Sequence, residues 1–308
     1  MTRYIIQRLI YMLITMFLIA TFTFFLMKFL PGTPLTAADK LSEEQQAVVL
    51  EKYGLNDPVP VQYFDYMVNL VQGDLGISFQ FDNREVTTIL MERVGPSIQL
   101  GIQAMIIGTI LGMLLGLISA IYHNGFLDYG SVFVAVIGKS IPSFVFAGIL
   151  QYFIGVKLGW FPVALWEGWQ YTVLPTVALA IFPIAVAARF MRTEMLEVMG
   201  SDYITTARAK GVNKFGVVFK HGVRNALIPL ITVLGPLAVS LMTGTLVIEN
   251  IFAVPGIGEQ FVKAVNTNDF PIIMGTTLLL AFLFIFIILV IDLLYGVIDP
   301  RIRLAEGE

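Results

Sequence analysis

Six long apolar stretches alternate with shorter polar segments along the chain. They cover, in order, residues 9–30, 98–122, 129–154, 171–190, 226–248 and 271–297. A helix needs about 20 mostly apolar residues to cross about 30 Å of hydrocarbon, and backbone groups in lipid have to be bonded within the helix. The pattern therefore predicts an all-α integral membrane protein with about six transmembrane helices.

The composition is typical of a membrane protein. Of the 308 residues, 57% are hydrophobic and 13% are charged, whereas a soluble domain is usually about 45–50% apolar and about 25% charged. The first apolar stretch is longer than the core of a signal peptide and ends without a small-x-small cleavage site, so we expect it to be retained. The net charge of −3 gives no indication of nucleic-acid binding. With no cysteine and only two histidines, His123 and His221, we expect neither a disulfide nor a metal site.

The distribution of lysine and arginine predicts the orientation, because the cytoplasmic loops of membrane proteins carry an excess of both. With the N-terminus inside, the cytoplasmic side receives Arg3, Arg8, Arg189, Arg192, Arg208, Lys210, Lys214, Lys220, Arg224, Arg301 and Arg303. The short external loops receive only Lys157 and Lys263. We therefore expect both termini to lie in the cytoplasm.

The chain is expected to divide into four parts: a first transmembrane helix (1–30), an external domain (31–95), a five-helix core (96–297) and a cytoplasmic tail (298–308). In the acidic external domain, "LSEEQQAVVLEKYG" predicts a helix capped by Ser42 and Gln45 and ended by Gly54. The stretch "DPVPVQYFDYMVNLVQG" predicts a second helix after two prolines. An outer helical domain is therefore expected between the first two spans.

The sequence contains no pattern typical of catalysis. It has no G-x-x-x-x-G-K-[ST] phosphate loop, no G-x-S-x-G and no H-E-x-x-H. We therefore expect no enzymatic activity in this chain. If the protein uses ATP, a partner has to bind it.

A basic segment, "DYITTARAKGVNKFGVVFKHGVRNALIPL" (202–230), lies between the fourth and fifth apolar stretches. Ser201 is a suitable N-cap for a first helix, and Gly211 stands where a glycine is expected after its C-terminus. Asn213 can cap a second helix, whose apolar residues recur at helical spacing. The segment is predicted to form two short helices joined at Gly211 on the cytoplasmic surface. The residues alone leave two roles open, which are contact with anionic lipid and binding to another protein.

Lys139 lies well inside the third apolar stretch, where a lysine costs about 2.5–3.5 kcal/mol on insertion scales. We expect it to face protein or water, either on a translocation pathway or by snorkelling towards an interface and bonding to carbonyl groups. The sequence "SIPS" at 140–143 predicts a local break in the helix. Ser140 and Ser143 are therefore pathway candidates together with Lys139.

Three further features lie near the ends of spans. Glu249, at the outer end of the fifth stretch, is a pathway candidate. Pro255 and Gly256 predict a turn that folds the chain back towards the last span. Asp292 is embedded near the end of that span and is expected to pair with a nearby arginine such as Arg301 in a structural role.

The basic segment resembles the cytoplasmic "E-A-A, three residues, glycine" signature of ABC-importer permeases. Thr205, Thr206 and Ala207 stand in place of Glu-Ala-Ala, and Gly211 is the glycine. The two threonines and the longer interval to the later Ile-Pro depart from the general signature and are similar to its peptide branch, which reads T-A-R-A-K-G and then R-N-A-L-I-P. Further stretches that resemble this branch, in family order, are "FLPGTP" (29–34), "YGLNDPVPVQY" (53–63), "GDLGISF" (73–79), "VIENIFAVPGIGEQF" (247–261) and "DLLYGVIDPRIR" (292–303).

The resemblance is to the first permease subunit of dipeptide and oligopeptide importers, whose relatives include nickel permeases. It implies the type I ABC importer permease architecture in a bacterial cytoplasmic membrane. The implied partners are a second homologous permease, two cytoplasmic subunits that bind ATP and Mg, membrane lipid and an external protein that delivers the peptide, with no cofactor on this chain. Residues 201–225 would form a coupling segment that docks on an ATPase subunit. The coupling residues would be Asp202, Thr205, Thr206, Ala207, Arg208, Lys210, Gly211 and Lys214.

Two functions of other kinds are compatible with a polytopic membrane protein. An ion-coupled secondary transporter tends to bury acidic residues within its spans and to contain inverted repeats, and the sequence shows few such acids and no repeat. A membrane sensor or scaffold would bind a ligand outside and signal through the basic segment without transporting anything.

Overall fold

The computed structural model describes residues 2–29, 51, 54–81 and 84–298, and nearly all of their regular structure is helical. The α-helices are α1 (Thr2–Phe29), α2 (Val59–Val71), α3 (Val86–Ile121), α4 (Phe126–Ser140), α5 (Ser143–Leu150), α6 (Trp169–Met199), α7 (Asp202–Ala209), α8 (Arg224–Ile251), α9 (Ile257–Asn266) and α10 (Phe270–Ile298). Two π-helical segments, Gln151–Lys157 and Gly216–Val223, continue α5 and precede α8. An isolated antiparallel bridge joins Ile77 and Glu85.

The predicted number of about six spans agrees with these helices. Within the described residues, four helices are long and apolar enough to cross a membrane: Ile6–Phe29, Val86–Ile121, Trp169–Met199 and Phe270–Val290. Two bent pairs of helices bring the number to six if each pair forms one span. The expectation of an all-α membrane protein is therefore confirmed.

Helices α3 and α6 extend well beyond the apolar stretches that predicted them. α3 begins at Val86 rather than at residue 98, and α6 continues to Met199 rather than ending near residue 190. The additional turns carry charged residues, including Glu92, Arg93 and Arg192. A hydropathy pattern ends where such residues begin, whereas the backbone hydrogen bonds of a helix continue through them.

The third apolar stretch is not one helix but two, as the sequence around Pro142 suggested. α4 ends at Ser140, and the segment Ser143–Lys157 leaves it at an angle of 107°. Ile141, the residue before the proline, has the extended backbone (φ −87°, ψ 122°) that a following proline favours. The chain therefore bends beside Lys139, which lies in the last turn of α4.

The described residues form two compact units. The first draws on Met1–Pro96 and Pro255–Leu289. Its core residues are Met27, Val86, Ile89, Leu90, Ala264, Ile272 and Ile273. Asp269, fully buried before α10, accepts a 2.5 Å hydrogen bond from the Ser78 hydroxyl and a 3.2 Å bond from the Gln80 amide. These bonds tie the loop before α3 to the start of α10.

The segment that was predicted to form an outer helical domain is described only in part. The second predicted helix is confirmed as α2, which begins directly after Pro58. Gly54 has a φ of +62° and donates a 3.0 Å hydrogen bond to the Glu51 carbonyl, as expected of a glycine at a helix end. Ser42 and Gln45, which were predicted to cap that helix, lie outside the described residues.

The second unit is built around α6 and comprises described residues of the ranges Ser97–Val254 and Val290–Glu308. Small buried residues of α6 face its neighbours, namely Ala178, Ala180, Ala185, Ala187 and Ala188. Gly108, Gly112 and Gly116 follow one another at intervals of four on α3, so that they share one face. A Cβ atom added to Gly112 would lie 2.6 Å from the Ile184 carbonyl oxygen, which shows how closely the backbones of α3 and α6 approach. Small residues permit such contact in membranes, where apolar side chains gain nothing by leaving lipid.

The turn at Pro255 and Gly256 leads into a short helix that the sequence did not predict. Gly256 precedes α9, which has Ile257, Gly258, Gln260 and Ala264 buried on one side. On its other side Glu259 bonds to Lys263 and, at 2.7 Å, to Arg93. The chain therefore reaches α10 through α9 rather than directly from the turn.

Candidate functional site

The first candidate region is the basic segment, residues 201–225, which begins with α7. The helix ends in a Schellman motif at Gly211, whose φ is +79°. The Gly211 amide donates to the Arg208 carbonyl at 3.0 Å, and the Val212 amide donates to the Ala207 carbonyl at 3.2 Å. Glycine adopts this left-handed conformation without strain. The predicted helix end at Gly211 is confirmed.

Asn213 caps the next helix, as predicted. Its Oδ1 accepts a 2.7 Å hydrogen bond from the Gly216 amide, and its carbonyl accepts one from Val217 at 3.0 Å. Only Val212 separates the glycine of one motif from the cap of the next. The second helix is not a separate short piece, because it continues through π-helical turns into α8.

Ser201 does not cap α7 with its side chain, and that prediction is wrong. Its hydroxyl donates instead to the Val198 carbonyl at 2.6 Å. A serine hydroxyl bonds readily to the carbonyl three residues earlier, which competes with capping. The backbone of Ser201 still occupies the N-cap position, with an extended conformation of φ −77° and ψ 155°.

Most of the predicted coupling residues are accessible. Those exposed are Asp202, Thr205, Thr206, Arg208, Lys210, Gly211 and Lys214. Ala207 is the exception at 8% exposure, and with the fully buried Ile204 it anchors α7 to the protein. Phe215 and Phe219 are exposed, with ring centroids 4.4 Å apart. The segment therefore presents both cations and an aromatic pair at its surface.

The second candidate region is a polar cluster around Asp128, in the first turn of α4. Asp128 is 2% exposed. Arg192 of α6 donates two hydrogen bonds to its carboxylate, from Nε at 2.8 Å and from Nη2 at 2.9 Å. The Asn124 amide donates at 2.8 Å, the Ser119 hydroxyl also donates, and His123 Nδ1 lies 3.1 Å away. The cluster joins the end of α3, the following turn, α4 and α6.

Sequence reasoning missed this cluster. Arg192 was counted only as a cytoplasmic cation, and Asp128 was not singled out, because 64 residues separate the two in the chain. An acid immediately before one apolar stretch and an arginine shortly after the end of another were the available signals. Such charges are usually paired with each other or with backbone groups.

A cavity of about 870 Å³ lies beside this cluster, between α3, α4 and α6. It is within the range of about 300–1,000 Å³ that small-molecule sites occupy. Three cationic side chains line it, Lys139, Arg189 and Arg192. Its hydroxyl groups come from Ser119, Ser131, Ser140 and Thr193. No acidic residue is among the described residues that line it.

The structure brings only some of the predicted pathway residues together. Lys139 and Ser140 line the cavity, whereas Ser143 and Glu249 do not. Ser143 is the first residue of α5, and Glu249 is fully buried near the end of α8. The side chain of Asp292 and all of Arg301 lie outside what the structure describes, so their pairing stays a prediction.

Long apolar helices that pack through small residues are typical of a polytopic membrane protein. Residues 108–304 match the family described as "Binding-protein-dependent transport system inner membrane component", and residues 1–101 match the N-terminal region of such membrane components. The chain belongs to this family of ABC importer permeases. It is therefore an inner-membrane component of a binding-protein-dependent transport system.

Relatives of similar length share much of the sequence. The dipeptide transport system permease protein DppB of Lactococcus lactis subsp. cremoris is 45% identical over 99% of this chain and 100% of its own length. DppB of Bacillus subtilis is 43% identical over 99% of both chains. The oligopeptide transport system permease protein OppB of Haemophilus influenzae is 39% identical over 98% of this chain and 100% of its own.

Solved structures support the fold. The MetNI methionine ABC transporter, in an inward-facing conformation, aligns with a TM-score of 0.59 at 20% identity, over 69% of this chain and 97% of the matched chain. An amino acid ABC transporter aligns with a TM-score of 0.53 at 15% identity, over 70% of this chain and 94% of the matched one. These matches confirm the type I importer permease fold for the aligned part.

Proposed function

We propose that this chain is a transmembrane permease subunit of an ATP-driven importer of dipeptides or oligopeptides. The supporting observation is its identity of 45% with a dipeptide permease across nearly the whole of both chains. Other relatives at 43% and 39% identity are also named for dipeptides or oligopeptides. These names favour peptides over nickel as the transported solute.

The importer needs further subunits, because this chain has no phosphate-binding loop of its own. A second homologous permease completes the pathway, and two cytoplasmic subunits bind ATP and Mg. An external protein delivers the peptide. Both termini and the basic segment face the cytoplasm, as the excess of lysine and arginine on that side indicates.

The basic segment couples this chain to one ATP-binding subunit. The Schellman motif at Gly211 and the cap at Asn213 fix the direction in which the chain leaves α7, because only Val212 lies between them. The chain after Asn213 then continues helically into α8. A displacement of α7 by a bound partner therefore also displaces α8, because no long flexible loop separates the two helices. Arg208, Lys210 and Lys214 are exposed and suited to acidic groups on the partner.

The proposal is tested with the complete complex in proteoliposomes. We expect peptide uptake that requires ATP and the external binding protein, and that persists when an uncoupler dissipates the ion gradient. Uptake that survives ATP depletion but collapses with the uncoupler would instead identify a secondary transporter. Purification in mild detergent without any ATP-binding subunit, together with no uptake, would favour a sensor or scaffold.

Replacing Gly211 by valine is expected to uncouple ATP hydrolysis from peptide binding. A residue with a Cβ atom at a φ of +79° carries about 1–2 kcal/mol of strain, enough to shift a local equilibrium roughly tenfold. A Cβ atom at this position would have no neighbour within 4 Å, so the strain is in the backbone alone. The measurement is peptide-stimulated ATPase activity, which should fall several-fold while the basal rate and assembly persist.

Two variants serve as controls for Gly211→Val. Gly211→Asn should retain coupling, because asparagine tolerates the left-handed conformation. Gly159 has a φ of +63° and also no atom within 4 Å of an added Cβ, so Gly159→Val imposes comparable strain outside the basic segment. Equal coupling in Gly211→Val, Gly211→Asn and the parent protein would contradict the role given to the segment.

A further inference from the structure

Three cationic side chains line the cavity beside the Asp128 cluster, and only one of them has an acidic partner within the described residues. Arg192 is paired with Asp128 through two hydrogen bonds. The side chains of Lys139 and Arg189 also line the cavity, yet neither has an ion pair or side-chain hydrogen bond within the described residues. Both residues are exposed in the isolated chain, so their charges are accessible from the cavity. A charged side chain without a counter-charge beside membrane-spanning helices is by default a candidate for a substrate or ion pathway.

Asp128 is not available to the other two cations. Its carboxylate is 3% exposed and already accepts bonds from Arg192, Ser119 and the Asn124 amide. Asp128 also lies eleven residues before Lys139 on α4, which is roughly 17 Å along the helix axis. The cavity therefore keeps a positive charge although Asp128 lies beside it.

The two cations approach the cavity from different helices, Lys139 from α4 and Arg189 from α6. The hydroxyl groups of Ser131 and Ser140, on the same helix as Lys139, also line the cavity, and these two residues are roughly 13 Å apart along the axis of α4. Hydroxyls can accept as well as donate hydrogen bonds, so they suit the amide groups of an extended chain. Ammonium and guanidinium groups only donate, and they suit a carboxylate.

We infer that Lys139 and Arg189 form a subsite that holds a carboxylate of the transported solute while it passes through this subunit. The inference rests on the proposed peptide-import function, and the carboxylate is the C-terminal one of a short peptide. The charge-assisted hydrogen bonds stabilise the anion in the cavity, and the hydroxyl groups bond to the adjoining backbone. Arg192 is held by Asp128 and does not contribute its charge.

The test compares trialanine with trialanine amide, which differ in the C-terminal negative charge. The transport rate of each probe is measured with the reconstituted complete complex. Each probe is used at a concentration that saturates the isolated binding protein. For the parent protein, we expect faster transport of the free acid than of the amide. Lys139→Met and Arg189→Met should each lower the rate for the free acid about tenfold and leave the rate for the amide nearly unchanged. Lys139→Arg should retain the preference for the free acid.

Several outcomes would overturn the inference. Equal losses for both probes would indicate that the cations pair with another subunit, and unchanged rates would indicate a lysine that only snorkels. A loss seen only in vesicles with phosphatidylglycerol, and not in phosphatidylcholine alone, would assign the cavity to lipid phosphate. Lys157→Met, which removes a lysine outside the cavity, should change neither rate. If the parent complex accumulates neither probe, the proposed function itself fails, which is a distinguishable result.

Discussion

Replacing Gly112 by valine is expected to lower strongly the amount of correctly folded subunit in the membrane. A Cβ atom at this position would lie 2.6 Å from the Ala187 Cβ, 2.6 Å from the Ile184 carbonyl oxygen and 3.0 Å from the Ala188 amide nitrogen. Two of these atoms belong to the backbone of α6, so no side-chain rotation can relieve the contact. Overpacking a core usually costs about 1–3 kcal/mol, and valine adds two methyl groups beyond the Cβ. The measurement is the yield of monodisperse protein and its melting temperature after mild solubilisation.

Gly101 provides a matched control on the same helix. A Cβ atom there would have no neighbour within 4 Å. Alanine stabilises a helix interior by roughly 0.5–1 kcal/mol relative to glycine, so Gly101→Ala should be neutral or stabilising. Gly112→Ala should be destabilising, because the contact with α6 outweighs that gain. The same substitution is thus expected to have opposite signs at two positions of α3. Equal stability of the two alanine variants would contradict the close packing of α3 on α6.

The consequence of this packing extends to the cavity. Gly116, one turn further along α3, would place a Cβ atom 2.5 Å from the Ala188 carbonyl oxygen and 3.0 Å from the Arg192 amide nitrogen. The glycine face therefore sets the position of the α6 backbone that carries Arg189 and Arg192. A change in the separation of α3 and α6 moves both cations relative to Lys139 on α4.

Local chemistry explains which parts of the structure the sequence could predict. Gly211 and Asn213 were predicted correctly because each end motif involves residues only a few positions apart. The break at Pro142 was predictable for the same reason, since proline restricts the residue before it. Ser201 shows the limit of such reasoning, because two backbone groups compete for one hydroxyl.

Features that depend on contacts between distant residues were not predictable. Gly108, Gly112 and Gly116 all lie within the second apolar stretch, and glycine is common in membrane helices. Only the position of α6 shows that they form a contact face. Helix α9, by contrast, has a clear local signal, since its buried residues lie on one side. It was missed because the turn at Pro255 and Gly256 was expected to lead directly to the last span. The pairing of Asp128 with Arg192 required knowledge that α4 packs beside α6.

Replacing Asp128 by asparagine is expected to destabilise the junction of α3, α4 and α6. Removing one member of a buried ion pair costs about 3–5 kcal/mol, and we expect the lower end of that range because the Arg192 side chain is 26% exposed. The free energy of unfolding can be measured by SDS titration in mixed micelles. Arg84 and Glu92 offer a matched control at 2.7 Å, with side chains 48% and 55% exposed. Glu92→Gln should cost less than about 1 kcal/mol.

A double-mutant cycle separates the pair from its surroundings. Asp128→Asn leaves the guanidinium of Arg192 without its charge partner. Arg192→Gln leaves the buried carboxylate of Asp128 without its charge partner. The double variant should therefore be less destabilised than the sum of the two single variants. Additive effects, or a cost for Asp128→Asn no greater than that for Glu92→Gln, would show that Asp128 does not hold Arg192. If the cycle confirms the pair, the carboxylate of Asp128 compensates the charge of Arg192. The net positive charge of the cavity then comes from Lys139 and Arg189.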